Sequence, residues 1–107
     1  LYVSGYSEGG DAVVAFEHPQ VRGRIAIGSS CWLGSKPDDD APILVITSAD
    51  DVWYGDATWP EARGLCRRTL AGEPSAQVLE PRGALHDALI YADARTALWN
   101  FLVRLAY

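Results

Sequence analysis

The chain predicts an α/β domain, a parallel sheet of about four strands with flanking helices, and two observations carry that prediction. Four short runs, at residues 1–4, 24–28, 43–47 and 76–80, are mostly apolar, the pattern of strands buried on both faces of a sheet. Three stretches with helical spacing, at residues 8–17, 59–71 and 93–105, alternate with them, and such alternation argues for βαβ units with right-handed crossovers.

The first run passes into Gly5-Tyr6-Ser7-Glu8-Gly9-Gly10, which opens the first helix. That helix is expected to close near His18-Pro19, because proline cannot continue it. The second helix has Thr58 as its N-cap, Pro60 near its first turn and Gly72 just past its end. The third carries Ala94, Ala97, Leu98, Phe101, Leu102 and Leu105 on one stripe, which suits packing on the sheet. Residues 29–40, between the second and third strands, are too loop-like for a crossover helix and predict a short helical turn or an excursion around a lid. Within them Asp38, Asp39 and Asp40 read as a solvated loop rather than a cation site, since consecutive carboxylates lack the alternate spacing that converges on one ion.

With 107 residues the chain fits one domain, residues 1–107, though it is short for most α/β enzymes. Apolar residues make up 49% and charged residues 21%, a balance that argues against disorder. A net charge of −5 supplies no basic patch for phosphates, so nucleic acid and anionic membrane surfaces are poor partners and small neutral substrates fit better. No apolar run approaches the roughly 18–20 residues of a membrane span. Leu1, in place of Met, implies that the natural N-terminus lies upstream, and the compartment stays open. Cys31 and Cys66 are read as free thiols in preference to a disulfide, since one pair of cysteines does not establish a bonded framework.

Gly-x-Ser-x-Gly between a strand and a helix is the pattern of a nucleophile elbow. The serine occupies a strained turn, so flanking positions must be small, and Gly5 and Gly9 are assigned that role. Ser7 is the candidate nucleophile, and the backbone N–H of Glu8, at the helix N-terminus, is a candidate oxyanion donor. The Glu8 carboxylate itself reads as a favourable charge in the first helical turn. A serine hydroxyl is a poor nucleophile at neutral pH and needs a base and an orienting carboxylate. The third strand ends in Ser48-Ala49-Asp50-Asp51 and the fourth in Pro81-Arg82-Gly83-Ala84-Leu85-His86, which puts acids and a histidine where open α/β sheets build their sites. His86 is the candidate base, its rival His18 sitting at a helix end. Tyr6, Trp32 and Trp53 are the candidate substrate-binding residues, with Leu33, Tyr54 and Leu85 near the same edge. No metal site is expected from two histidines without i, i+4 spacing, and no cofactor is called for.

On these residues the chain resembles the C-terminal half of an α/β-hydrolase, and is most similar to small members related to dienelactone hydrolase and carboxylesterases. The matching stretches are residues 5–10, 42–51, 83–87 and the closing helix around residues 95–102. The resemblance implies a Ser-Asp-His order of catalytic residues and a small residue three positions before the acid. Ser48 holds that place ahead of Asp51, which makes Asp51 the acid in preference to Asp50 and Asp56. The namesake of the group uses cysteine where this chain has Ser7, so ordinary ester hydrolysis is the implied reaction.

The resemblance also implies strands that precede the elbow and a second oxyanion donor on one of their loops. Neither is in this chain, so an N-terminal half, a second chain or a swapped copy is expected to complete the sheet. These residues alone are expected to be poorly active, since loss of one oxyanion donor lowers turnover by roughly 10²–10³-fold. Two other readings compete with an esterase: a peptidase of the prolyl-oligopeptidase type, and a non-catalytic interaction module derived from a hydrolase.

Overall fold

The structure is a computed structural model that describes residues 1–34, 41–53, 60–62, 64–82, 86–87, 89 and 91–106. Four strands, β1 (Tyr2–Tyr6), β2 (Gly23–Ile27), β3 (Ile43–Ile46) and β4 (Ala76–Leu79), form one sheet in the order β1-β2-β3-β4. All pairings are parallel, with Gly5 beside Ala26, Ile25 beside Leu44 and Val45 beside Val78. The predicted α/β class therefore holds. Strand β1 runs two residues further than expected, through Gly5 and Tyr6 to the threshold of Ser7.

Side-chain alternation divides the core into two layers. Ala26, Ile43 and Val45 pack with Val13 and Val14 of α1 (Glu8–Ala15) and with Cys66 of α2 (Leu65–Thr69). Ile25, Leu44 and Ile46 face the opposite way, onto Ala94 and Phe101 of α3 (Ala92–Ala106). Helices thus cover both sheet faces, which is why β3 reads as an unbroken Ile-Leu-Val-Ile run with all four side chains buried. The stripe expected on the last helix meets the sheet at Ala94, Leu98, Phe101 and Leu105, while Leu102 is exposed.

Two helix boundaries differ from expectation. Helix α1 stops at Ala15, where Phe16 turns extended (φ −69°, ψ 134°), before proline is reached. The cause is tertiary: Arg24, 1% exposed on β2, donates from Nε and Nη2 to the Phe16 carbonyl at 3.2 and 3.0 Å, satisfying a helix-end acceptor with a cation. The continuous helix expected over 59–71 is instead a 3-10 turn at Pro60–Ala62 followed by α2. Gly64 stands between them at φ 64°, a left-handed conformation that ends one helical segment before the next begins. Thr58 and Trp59, assigned to the start of that helix, lie outside the described residues, as does the Asp38 to Asp40 run.

The assignment of free thiols is corrected. Cys31 and Cys66 form a disulfide with Cα atoms 5.1 Å apart, joining the turn after β2 to α2. The turn and the helix meet only in the folded sheet, so sequence spacing did not reveal the bond.

Candidate active site

Strand β1 delivers Ser7 into a conformation few non-glycine residues adopt, φ 58° and ψ −123°. Its N–H bonds the Ile27 carbonyl at 2.8 Å, and its carbonyl accepts the Asp11 N–H at 3.1 Å as the first turn of α1 closes. The turn is this sharp because Gly5 lacks a Cβ: an added one would stand 2.2 Å from the Gly9 carbonyl oxygen. Gly10 is also tight, 3.2 Å from Ser29 Cβ, whereas a Cβ on Gly9 would meet open space. The steric requirement thus falls on Gly5 and Gly10, and Gly9 enters it through its carbonyl alone.

The turn after β3 presents Asp51, 2% exposed. Its N–H bonds the Ser48 carbonyl at 3.2 Å, which fixes the tight loop that the small residue at 48 permits. One carboxylate oxygen, Oδ1, accepts the Trp53 N–H at 2.7 Å, and the other, Oδ2, holds His86 Nδ1. On its far side, His86 Nε2 lies 3.0 Å from Ser7 Oγ. With Nδ1 bound to a carboxylate, the neutral imidazole carries its proton there, leaving Nε2 to accept from the serine hydroxyl. Three residues separated by up to 79 positions are thus linked in one hydrogen-bonded chain.

Tyr6 flanks this chain. Its hydroxyl donates to the His86 carbonyl at 3.0 Å, and the two rings stand 5.0 Å apart at an interplanar angle of 52°. Its phenol pKa is raised, first by burial against this contact and then by the carboxylates of Asp87 and Asp51. An open cleft of about 520 Å³ lies over the serine, lined by Tyr6, Ser7, Glu8, Gly9 and Trp53. Trp53 is 66% exposed and Trp32 59%, and Trp32 is not among the residues lining this cleft. Tyr54, Leu85 and Asp56 lie outside the described residues. Glu8 begins α1, so its N–H is one of the orphan donors at a helix N-terminus. A larger hollow of about 690 Å³ between β4 and α3 is lined by residues such as Gln77, Asp93 and Arg104, and no histidine is among the described residues that line it.

His18 does not approach this chain: its Nδ1 accepts the Gln20 N–H at 3.1 Å and its ring stacks on Phe16. Sequence reasoning missed Asp11, a carboxylate 1% exposed that grips the turn at Ser29, Ser30 and Cys31 from one turn behind Ser7. Its position four residues after the serine, in the first turn of the helix, was the only available signal. Among the described residues no cluster of His, Cys, Asp and Glu could hold a metal ion, and no helix is long and apolar enough to cross a membrane. Compared with known proteins, the chain matches no family model, no curated protein and no solved structure.

Proposed function

We propose that this chain is a serine hydrolase of the α/β-hydrolase type that cleaves small carboxylic esters through Ser7, His86 and Asp51. The observation that supports this best is the hydrogen-bonded chain from Ser7 Oγ through both ring nitrogens of His86 to a buried Asp51, built on a serine at φ 58°. Each feature has a cost without the others: the strained serine, the buried carboxylate and the oriented imidazole make sense together as a device for activating a hydroxyl.

In this reading Ser7 Oγ attacks the acyl carbon while His86 Nε2 takes its proton. The carbonyl oxygen gathers negative charge and is met by the Glu8 N–H, and the positive end of α1 adds to the attraction. Asp51 stabilises the imidazolium and fixes its tautomer. His86 returns the proton to the departing alkoxide, which leaves as an alcohol. Water then attacks the acyl-enzyme with His86 again as base, releasing the acid and restoring Ser7. Tyr6 and Trp53 give the cleft aromatic walls against which a small neutral ester can lie.

A single identified oxyanion donor and the position of β1 at the end of the sheet, with no further strand beside it among the described residues, support a partner segment, an upstream half of the protein, a second chain or a swapped copy, that adds a strand beside β1 and brings the second donor. The reading is tested with a fluorophosphonate probe on the full-length protein. Labelling that is lost in both Ser7→Ala and His86→Ala is the expected result, with turnover of a short-chain aryl ester following the same pattern. Failure of the full-length protein to label would favour a binding module derived from a hydrolase.

A further inference from the structure

Tyr6 is half exposed in the cleft wall, which gives it the look of a substrate contact, yet its polar end is turned to the protein. The hydroxyl is committed to the main-chain carbonyl of His86 at 3.0 Å, and the ring lies against the imidazole with centroids 5.0 Å apart. Gly28, at φ 65°, completes the contact from below: a Cβ there would meet His86 Cε1 at 3.4 Å, the His86 carbonyl oxygen at 3.5 Å and Tyr6 Cε2 at 3.5 Å. Backbone of the β2 edge, tyrosine ring and histidine therefore converge on one point.

We infer that Tyr6 is a positioning residue for the base, tethering the main chain of His86 to the residue next to the nucleophile. The inference rests on the hydrolase reading above and extends it to a residue outside the Ser7, His86 and Asp51 set. Its logic is geometric. Asp51 holds the imidazole by Nδ1, which fixes the ring's orientation but is not itself a grip on the main chain of His86. A second grip on the His86 carbonyl, made by the direct neighbour of Ser7, limits that shift along the line between base and nucleophile. Proton transfer over 3.0 Å is sensitive to such a displacement, because a misplacement of about 1 Å can cost on the order of 10²-fold in rate. Replacing the hydroxyl while keeping the ring leaves the aromatic contact in place and loosens this grip alone.

The test is Tyr6→Phe in the full-length protein, read in two ways. His18→Gln and His86→Gln controls in the same protein assign the imidazole signals of these two histidines in a nuclear magnetic resonance spectrum. The Tyr6→Phe change is expected to shift or broaden the His86 ring signals and leave those of His18 in place. In parallel, the rate of fluorophosphonate labelling and kcat for a short-chain ester are expected to fall about fivefold, the loss of one ordinary hydrogen bond, with KM unchanged. Unmoved His86 signals together with unchanged labelling would overturn the inference, as would a loss confined to KM, which would make Tyr6 a substrate contact. Failure of the wild-type protein to label at all would instead overturn the hydrolase reading, a result the tyrosine variant cannot mimic.

Discussion

Asp11 accepts the Ser29 hydroxyl at 2.6 Å, joining the helix that follows Ser7 to the turn that follows β2. The same carboxylate oxygen also receives the Ser30 N–H at 2.8 Å and the Ser30 hydroxyl and Cys31 N–H at 3.1 Å each, all away from solvent. A buried carboxylate needs donors, and here one oxygen, Oδ1, collects four, while Oδ2, also buried, has no hydrogen-bond partner among the described residues. The arrangement also holds Cys31 at φ 60°, a conformation unfavourable for a residue with a Cβ. Asp11→Ala leaves the Ser30 N–H buried without this acceptor and the Cys31 N–H with the Ser29 hydroxyl oxygen alone, and is expected to destabilise the fold by about 3 kcal/mol. Asp11→Asn, which keeps an acceptor oxygen but loses the charge, should fall between the two. Chemical denaturation of the three proteins at neutral pH checks the order.

Gly5 and Gly9 occupy symmetric places around Ser7 and should respond to alanine in opposite ways. Gly5→Ala drives a methyl group to 2.2 Å from the Gly9 carbonyl, a backbone atom that cannot yield without opening the turn. Loss of the folded elbow, seen as a lower unfolding midpoint, is the expected result. Gly9→Ala adds a methyl into open space within α1, where alanine is favoured over glycine by roughly 0.5–1 kcal/mol, so its midpoint should rise.

The disulfide between Cys31 and Cys66 closes a span of 35 residues that includes β3 and the turn bearing Asp51. Constraint of the unfolded chain by a loop of that length is worth about 3–4 kcal/mol. A Cys31→Ala/Cys66→Ala double variant is expected to lose about that much stability in denaturant, and a reducing agent should lower the wild-type midpoint while leaving the double variant unchanged. Equal midpoints for the wild type and the double variant without reductant would show that the turn is already held by Asp11 without the bond.

How far these relationships could be read from the sequence depends on whether their cause is local. The four strands were legible because burial on both faces writes itself as runs such as Ile43-Leu44-Val45-Ile46. Ser7 was legible because its turn demands Gly5 beside it, and Asp51 and His86 because each follows a strand end, where the parallel sheet gathers its loops. The end of α1 was not, since Arg24 sets it from a neighbouring strand, and neither was the break at Gly64, which looks like one tolerated glycine inside a helical pattern. Asp11 escaped notice because an acid in a first helical turn already has an ordinary explanation in the helix dipole. Its second role depends on Ser29, Ser30 and Cys31 arriving opposite it, which only the parallel register of β1 and β2 decides.

The Tyr6 phenol supplies a pH dependence whose sign is fixed by its surroundings. Burial against His86 and the carboxylates of Asp87 and Asp51 all disfavour a phenolate, so the folded pKa lies above the ordinary 10.0. Below that ordinary value the group is protonated in folded and unfolded chains alike, and the stability linked to it is fully present. As pH rises from there through the raised folded value, the unfolded chain gives up its proton first and that stability is lost. Deprotonation also removes the donor to the His86 carbonyl. Comparing wild type with Tyr6→Phe isolates the effect, because every other tyrosine titrates in both. The stability advantage of wild type should be constant up to about pH 9 and shrink by about pH 11. An advantage that stayed level across this range would mean that the Tyr6 hydroxyl ionises with the same ease in the folded and unfolded chains.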